Sequence, residues 1–231
     1  VEGQERLLQA TVLVVGLGGL GCPAALYLAA AGVGRLLLAD GDTVELSNLQ
    51  RQIAHRTADI GQNKARSAAA AVVALNPGVA VEVIPQQLDE ASMPGLVEGA
   101  DLVLDATDNY PVRFALNRAC IAAGVPLVSA AAVRSEGQLS VFDPLRGGPC
   151  YRCLYPDDSA SNAMSCSENG VLAPLVGVIG SLQAMEAVKL LAGFGDTLRG
   201  KLLVLDLRSM EMHRLNVSRR LDCPDCAHLL R

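Results

Sequence analysis

The stretch VVGLGGLG, residues 14–21, decides the fold. It joins an apolar strand predicted at 11–15 to a helix predicted at 20–31, and its glycines fit the pattern Gly-x-Gly-x-x-Gly. Glycines allow a tight turn and let backbone N–H groups approach phosphate oxygens, while the helix N-terminus adds partial positive charge. The glycines of this turn are Gly16, Gly18, Gly19 and Gly21. A strand, a glycine turn and a helix in this order predict a nucleotide-binding site.

A carboxylate stands where such a site needs one. Asp40 follows a second predicted strand at 35–39, 19 residues after Gly21, where it can accept hydrogen bonds from ribose hydroxyls. The surrounding stretch, LADGDTVELSNLQRQ at 38–52, adds Asp42, Asn48, Arg51 and Gln52. The glycine turn and Asp40 do not separate NAD from ATP, so the remaining polar residues must decide the ligand.

Short apolar segments alternate with helical ones through the first two-thirds of the chain. Strands are predicted at 11–15, 35–39, 79–84, 102–105 and 126–129, with helices at 20–31, 63–75 and 112–123. Apolar strands separated by helices are typical of a parallel sheet covered on both faces. Later strands are predicted at 138–142, 202–207 and 210–217, with a long apolar helix at 171–192. We expect a Rossmann-like α/β fold, mostly parallel, continued by antiparallel strands.

The bulk composition argues against several classes of protein. A net charge of −5 with no long basic run leaves no electrostatic footprint for nucleic acid, and 3% aromatic residues leave few rings for stacking on bases. No secretory signal is visible. The helix at 171–192 carries Gln183, Glu186 and Lys189 on one stripe, which a membrane span would tolerate poorly. We expect a cytoplasmic protein with no nucleic-acid or membrane partner, and a core helix with one wet edge.

Two cations and a second carboxylate complete the set. Lys64 lies in GQNKA, and Asp108 follows the predicted strand at 102–105. Because the carboxyl ends of parallel strands meet at one edge of a sheet, we expect Asp40 and Asp108 on the same rim as the glycine turn. Arg51 and Lys64 can neutralise charge on a departing pyrophosphate, and Mg²⁺ prefers one or two carboxylates plus phosphate oxygens. The set predicts ATP with Mg²⁺.

Two other classes of protein share part of this pattern. An NAD(P)-dependent oxidoreductase would use the same glycine turn, but nothing marks His55, His213 or His228 as the proton-transfer group that it needs. A non-catalytic zinc-bearing scaffold that binds a carrier protein would be expected to lack Arg51, Lys64 or Asp108, and all three are present.

Four of the seven cysteines are arranged as two Cys-x-x-Cys pairs. The pairs are Cys150 with Cys153 and Cys223 with Cys226. Four thiolates suffice for a tetrahedral Zn²⁺ without an open position, which is a structural site. The pairs are 69 residues apart, so the metal is expected to clip the C-terminal tail onto the main domain. His228 is a minor alternative ligand, and Cys22 and Cys120 are expected to pack in helices.

Several longer motifs resemble one known family. They are LSNLQRQ at 46–52, VLDATDN at 103–109, EGQLSVFDP at 136–144, CYRCLYP at 150–156 and GVLAPLVGVIGSLQAMEAVKLLAG at 170–193. Together they resemble the MoeB/ThiF family, bacterial relatives of the ubiquitin-activating enzymes, and MoeB most closely. The resemblance implies that ATP·Mg²⁺ adenylates the C-terminal glycine of a small ubiquitin-like sulfur carrier ending in Gly-Gly. Pyrophosphate leaves, and a sulfur donor then forms the thiocarboxylate.

The resemblance also implies roles for individual residues. Asp40 is expected to bind the ATP ribose and Asp108 to hold magnesium, while Asp42 and Asn109 complete the nucleotide site with the glycines. The phosphate-contacting residues are expected to be Asn48, Arg51, Gln52 and Lys64. A C-terminal carboxylate is already ionised at neutral pH, so no strong base is required.

Catalysis is expected from Arg51, Lys64 and Asp108. Cys166, in a segment at 156–167 predicted as a mobile loop, resembles a family cysteine. That cysteine is implicated in sulfur transfer in ThiF-like members and is dispensable for adenylation in MoeB-like ones. Family members also carry an N-terminal arm whose arginine reaches the neighbouring ATP site, and Arg6 does not match it.

The resemblance implies a homodimer with a carrier on each subunit, and we expect the sulfur donor to be a separate persulfide protein. Residues 1–135 are expected to bind the nucleotide, and 136–231 to form the carrier-binding and zinc-knuckle part of the same single domain. SAAAVRSEGQ at 129–138 favours molybdopterin biosynthesis, whereas CLYPDD at 153–158 favours the thiamine pathway. The molybdopterin branch is the leading expectation, with the thiamine-pathway or another carrier as the alternative.

Overall fold

The computed structural model describes residues 1–156 and 170–230. Cys166 and all but the first residue of the loop predicted at 156–167 lie outside the described residues. One sheet of eight strands runs through the described part of the chain, in the order β3-β2-β1-β4-β5-β6-β7-β8. The strands are β1 Thr11–Val15, β2 Arg35–Ala39, β3 Ala80–Ile84, β4 Leu102–Asp105, β5 Leu127–Val133, β6 Glu136–Phe142, β7 Lys201–Asp206 and β8 Glu211–Asn216.

The first five strands are parallel and the last three continue the sheet in antiparallel fashion. The helices are α1 Glu2–Gln9, α2 Gly21–Ala30, α3 Lys64–Leu75, α4 Met93–Glu98, α5 Tyr110–Ala123, α6 Tyr151–Leu154 and α7 Ala173–Ala192. The predicted Rossmann-like fold is therefore confirmed, including its change from parallel to antiparallel strands.

Side chains alternate between two apolar cores along the central strands. In β1, Val12 and Val14 join the cluster that includes residues of α2, α3 and α7. Leu13 and Val15 join the cluster on the other face, with residues of α4, α5 and α6. Both faces of β1 are thus covered by helices, which explains why this strand is apolar at every position from 12 to 15.

The strand order reverses direction between β1 and β4, which are neighbours in the sheet. In an open α/β sheet such a switch point leaves a crevice outside the carboxyl ends of the strands. The glycine turn follows β1 and the segment 106–109 follows β4, so the topology alone brings them to opposite sides of one crevice.

The prediction of a wet polar edge on α7 is wrong. Gln183 and Glu186 are buried, and Lys189, half-buried, forms an ion pair with Glu186. The exposed positions of this helix are instead apolar, at Pro174, Val178 and Met185. Among the described residues α7 alone is long and apolar enough to span a membrane by composition, and here it packs against α2, β5 and β6.

Candidate nucleotide-binding site and metal centre

A cavity of about 680 Å³ opens at the carboxyl ends of β1, β2 and β4. Pockets that hold small ligands measure about 300–1,000 Å³, so the volume suits a nucleotide. Every residue predicted to bind the nucleotide lines this cavity except Gly21. The lining set is Gly16, Gly18, Gly19, Asp40, Asp42, Asn48, Arg51, Gln52, Lys64, Asp108 and Asn109. The fold therefore brings together residues that are spread over 94 positions, from 16 to 109.

The glycine turn is shaped by close backbone approaches. Gly16 has a φ of +90°, and a Cβ there would lie 2.8 Å from Ala106 O. A Cβ on Gly21 would collide with the carbonyl oxygen of Gly16. Gly21 therefore shapes the turn, although it does not line the cavity. A Cβ on Gly19 would lie 2.8 Å from Val176 Cγ2. A side chain at any of these three positions would clash with neighbouring atoms, so the turn could not pack this closely.

Asp40 is held by the backbone of the same site. Its Oδ2 accepts from Leu17 N at 2.7 Å and its Oδ1 accepts from Asp42 N at 2.9 Å. Desolvation by burial raises the pKa of Asp40, although the two backbone donors and Lys64 act in the opposite direction. The carboxylate is thus fixed in orientation at the cavity wall, as a ribose-binding group should be.

Lys64 and Asp42 form an ion pair on the cavity wall, with Nζ 2.9 Å from Oδ2. Asp42 Oδ1 accepts from Gln87 Nε2 at 2.8 Å, so protein donors engage both carboxylate oxygens. Lys64 is the first residue of α3, whose N-cap Asn63 accepts from Arg66 N. Asn63 Nδ2 also donates to Asp40 O at 2.8 Å, which ties the start of α3 to the end of β2.

Asn48 ends the short 3-10 helix Leu46–Asn48, and Arg51 and Gln52 follow in the segment that is hydrogen-bonded back to it. Arg51 N and Gln52 N both donate to Asn48 O at 3.1 Å, so the three side chains have the i, i+3, i+4 spacing of neighbours. Gln52 is only 4% exposed, and its Oε1 has no hydrogen-bond partner in the described part of the chain. A buried polar atom without a partner is costly, and a ligand or water in the cavity would satisfy it.

Two acids follow β4, and they differ in availability. Asp105 is fully buried, where it accepts from Ser129 Oγ at 2.6 Å and faces Arg113 Nε at 3.7 Å. Asp108 is exposed in the cavity wall, and among the described residues no hydrogen bond or ion pair engages its carboxylate. Asp108 is therefore the acid that can meet a cation, while Asp105 is structural.

His55 is buried and hydrogen-bonded within the fold, as expected for a structural histidine rather than a catalytic base. It is 6% exposed, and its ring nitrogens lie 2.8 Å from Ser67 Oγ and 2.9 Å from Leu17 O. His213 and His228 are exposed and do not line the cavity. None of the three histidines faces the cavity as a base would.

The four cysteines of the two predicted pairs meet in one cluster. Their Sγ atoms all lie within 4.8 Å of one another, and all four residues are buried. Sulfur–sulfur distances are 3.8 Å for Cys150 to Cys153, 3.6 Å for Cys150 to Cys223 and 3.5 Å for Cys153 to Cys226. Four thiolates about 2.3 Å from a tetrahedral metal would lie roughly 3.8 Å apart. The cluster could therefore hold a metal, and His228 is not part of it.

Asn117 ties this cluster to the main body of the fold. It is 1% exposed, accepts from Tyr151 N at 2.8 Å and donates to Asp225 Oδ2 at 2.8 Å. Asp225 also pairs with Arg152 at 3.2 Å. The α5 helix thus holds both cysteine pairs in place. Cys22 and Cys120 are buried in helices, as predicted, and burial raises the pKa of Cys22 to about 12.

Three residues that hold the site in place were not predicted from the sequence. Gln87 orients Asp42 by donating to its Oδ1. Arg113 donates to Thr107 O, and to Ala130 O at 2.8 Å. Gln183 joins β4 to β5. Gln183 Nε2 donates to carbonyls at the ends of β4 and within β5, at 2.8 and 3.0 Å. A glutamine inside an apolar helix is a signal of such a bond, whereas nothing in the local sequence marks Gln87.

Comparisons with known proteins match the chain as a whole. The ThiF family profile matches residues 1–225. "Molybdopterin-synthase adenylyltransferase" of Escherichia coli (strain K12) is 52% identical over 225 residues, covering 97% of this chain and 90% of that protein. "Sulfur carrier protein ThiS adenylyltransferase" of the same organism is 46% identical over 226 residues, covering 98% and 89%. "Adenylyltransferase and sulfurtransferase MOCS3" of Mus musculus is 49% identical over 227 residues, which is 98% of this chain and 49% of that protein.

Solved structures agree on the architecture. Escherichia coli MccB with ATP has a TM-score of 0.87 at 23% identity, over 97% of this chain and 68% of that one. PaaA has a TM-score of 0.79 at 26% identity, over 95% of this chain and 67% of that one. The likeness to MccB concerns the fold alone. Because the family profile spans nearly the whole chain and the relatives above are at least 46% identical, the chain belongs to the ThiF family.

Proposed function

We propose that this protein adenylates the C-terminal glycine of a small ubiquitin-like sulfur carrier with ATP and releases pyrophosphate, in molybdopterin biosynthesis. The observation that carries the proposal is the single cavity in which the glycine turn, Asp40, Arg51, Lys64 and Asp108 meet. The relatives named as adenylyltransferases match over almost the entire chain, which supports the same reaction class.

Contacts to the ribose and to the phosphates orient the nucleotide. The Asp40 carboxylate, fixed by two backbone N–H groups, accepts from the ribose hydroxyls. The glycine turn and the N-terminus of α2 offer amides and partial positive charge to the phosphates. Arg51, Gln52 and Lys64 line the same cavity, where Gln52 and Lys64 are buried side chains and Gln52 Nε2 lies close to Gly18. The charge of a triphosphate is thus met by several donors.

The reaction needs positioning and charge neutralisation more than proton transfer. A carboxylate oxygen of the terminal glycine forms a bond to the α-phosphorus, and the bond from that phosphorus to the bridging oxygen of pyrophosphate breaks. No proton moves, because the carboxylate is already ionised at neutral pH. Arg51 and Lys64 neutralise the charge that develops on the leaving pyrophosphate. This accounts for a cavity that no histidine lines.

Asp108 is the residue that would hold Mg²⁺. It is an exposed acid on the cavity wall with no protein partner among the described residues, in contrast to the buried and paired Asp105. When bound, the ion screens the triphosphate charge. Asn109 lies beside Asp108, but its Oδ1 caps α5 by accepting from Val112 N at 3.2 Å, so its part is to fix the start of that helix.

We assign carrier binding and the metal to the second part of the chain. Residues 1–135 bind the nucleotide, and 136–231 receive the carrier and form the metal knuckle. The knuckle metal is Zn²⁺, because four buried thiolates at tetrahedral spacing leave no open position and suit zinc. A separate persulfide protein supplies sulfur, with or without help from Cys166. The protein works as a cytoplasmic homodimer.

The pathway is molybdopterin biosynthesis rather than thiamine biosynthesis. The molybdopterin-synthase relative is 52% identical and the ThiS relative is 46% identical over almost the same span. The stretch SAAAVRSEGQ at 129–138 favours the same branch. A carrier of the thiamine pathway, or another sulfur carrier, is the alternative.

The test is ATP–pyrophosphate exchange with each type of purified carrier. We expect exchange that depends on the carrier, is fastest with the molybdopterin-synthase carrier, and is abolished by Asp108→Ala. Glu98→Ala, an exposed acid at the end of α4, is the matched control and should exchange normally. Full exchange by Asp108→Ala would remove Asp108 from the site. Faster exchange with the thiamine carrier would move the protein to the other pathway.

A further inference from the structure

His55 supports the nucleotide site from below, a role that rests on the proposed function. His55 lies beneath the glycine turn, 6% exposed and outside the cavity lining. Its Nε2 is 2.9 Å from Leu17 O, and its Nδ1 is 2.8 Å from Ser67 Oγ. Leu17 belongs to the glycine turn and Ser67 to α3, so one side chain links the two walls of the nucleotide site.

The proton positions follow from the partners. A carbonyl oxygen only accepts hydrogen bonds, so the Nε2 that faces Leu17 O carries the ring proton. Nδ1 of the neutral ring then accepts from the hydroxyl of Ser67, which shares its one proton with Asp59 Oδ2 at 3.1 Å. Burial lowers the pKa of His55, with Lys64 acting in the same direction; the bond to Leu17 O, Asp40 and Asp59 act against it, and the net lowering favours the neutral ring.

The bond to Leu17 O has a consequence on the other side of the peptide. In a planar trans peptide the C=O and the following N–H point in opposite directions. With Leu17 O directed at His55 in the interior, the Gly18 N–H is directed away from it, toward the cavity that Gly18 lines. Gly18 O accepts from Cys22 N at 3.0 Å, which turns the Gly19 N–H outward in the same manner. Among the described residues no acceptor engages either amide.

Leu17 is held from both of its polar atoms. Its N–H donates to Asp40 Oδ2 at 2.7 Å, while its oxygen accepts from His55 at 2.9 Å and from the weaker thiol donor of Cys22 at 3.2 Å. A change at His55 would therefore reach both the amides that meet the phosphates and the carboxylate that meets the ribose. We propose that His55 is a positioning residue for ATP, which through Leu17 holds the Gly18 amide toward the phosphate oxygens.

The test is His55→Leu, which fills the buried position with an apolar side chain and removes the imidazole N–H that donates to Leu17 O. We expect the KM for ATP in carrier-dependent exchange, and the Kd for ATP·Mg²⁺ by calorimetry, to rise about tenfold, because the buried Leu17 O keeps only the weak thiol donor of Cys22, at 3.2 Å. The KM for the carrier should stay within about twofold of the wild type, because the donor lost lies at the nucleotide site. His55→Gln, whose amide can donate from near the place of Nε2, should restore most of the ATP affinity.

A merely structural role predicts a different pattern. Ser140→Ala removes another buried hydrogen bond, from Ser140 Oγ to Lys201 O at 2.9 Å, in β6 away from the cavity. It should lower the melting temperature without changing the KM for ATP. If His55→Leu does the same, or if His55→Gln fails to restore binding, the proposal is overturned.

A second variant covers the case in which His55→Leu does not fold. Ser67→Ala leaves the imidazole but removes the partner of Nδ1, so the ring is less firmly oriented, and we expect the KM for ATP to rise about threefold. An unchanged KM in folded Ser67→Ala protein would also overturn the proposal. Wild-type protein that binds no ATP and shows no exchange would contradict the adenylyltransferase function itself, which is a separate outcome.

Discussion

Lys64 Nζ lies 2.9 Å from Asp42 Oδ2, and this ion pair sets a cation in the wall of the nucleotide cavity. The Lys64 side chain is 10% exposed, whereas that of Asp42 is 56% exposed. Gln87 donates to the second oxygen of Asp42, so side chains of the protein hold both oxygens of this acid in place. We infer that Asp42 orients Lys64, which can turn to the phosphates when they arrive; the contact of Asp42 with ATP stays a prediction.

Lys64→Ala should lower carrier-dependent ATP–pyrophosphate exchange by about a hundredfold, which is typical of the loss of one preset charge-stabilising donor. The decrease should appear mainly in kcat, because the charge on the leaving pyrophosphate grows in the transition state. Steady-state exchange kinetics measure it. Arg66→Ala, an exposed cation on the same helix, is the control and should be close to wild type.

A double-mutant cycle separates the roles of Asp42 and Lys64. If Asp42 acts only through Lys64, Asp42→Asn should reduce exchange by about tenfold, which is less than Lys64→Ala, and should have little effect once Lys64 is gone. Exchange rates of the two single variants and the double variant give the coupling. Additive losses would mean that Asp42 contacts the nucleotide independently.

The titration of Asp40 gives a pH dependence with a defined sign. Burial raises the pKa of this carboxyl, so its ionisation opposes folding, and its contribution to stability declines as pH rises through that raised pKa. The difference in unfolding free energy between Asp40→Asn and wild type should therefore shift in favour of the variant as pH rises from the ordinary carboxyl range toward neutrality. Denaturant unfolding at a series of pH values measures this. The opposite trend would show that the backbone donors to Asp40 outweigh its burial.

The cysteine cluster should contain one zinc ion per chain. Cys226→Ala should lose the metal and lower the free energy of unfolding by about 4 kcal/mol, which for a chain of this size corresponds to roughly 10 °C in Tm. Metal analysis of the purified protein and thermal unfolding measure the two effects. Cys120→Ala, also buried but outside the cluster, should keep its zinc. Freshly purified protein without zinc would contradict the assignment.

The strand ends were predictable because their position depends on topology alone. Asp40 and Asp108 follow short apolar strands, and the parallel arrangement sends both to one edge of the sheet. The start of α5 was predicted at 112 but lies at Tyr110, because Asn109 caps the helix through Val112 N. Side-chain caps of this kind move a boundary by a residue or two without altering the apolar period.

The short helices were not predictable from periodicity. The α6 helix has four residues, Tyr151–Leu154, too few to display a helical pattern, and it is held by tertiary contacts. Tyr151 is buried with its ring centroid 5.2 Å from that of Phe114. Glu186 looked solvent-exposed in the sequence, yet its Oε2 accepts from Leu198 N at 2.8 Å, from a segment after the helix. A polar residue in an apolar helix indicates either water or a buried partner, and only the folded chain distinguishes the two.

The most direct test of the proposed reaction is the intact mass of the carrier after incubation with enzyme and ATP·Mg²⁺, followed by acid quenching. We expect the carrier to gain one adenylyl group, with pyrophosphate as the other product, and a carrier lacking its terminal Gly-Gly to remain unmodified. Release of ADP and phosphate with an unmodified carrier would contradict adenylation.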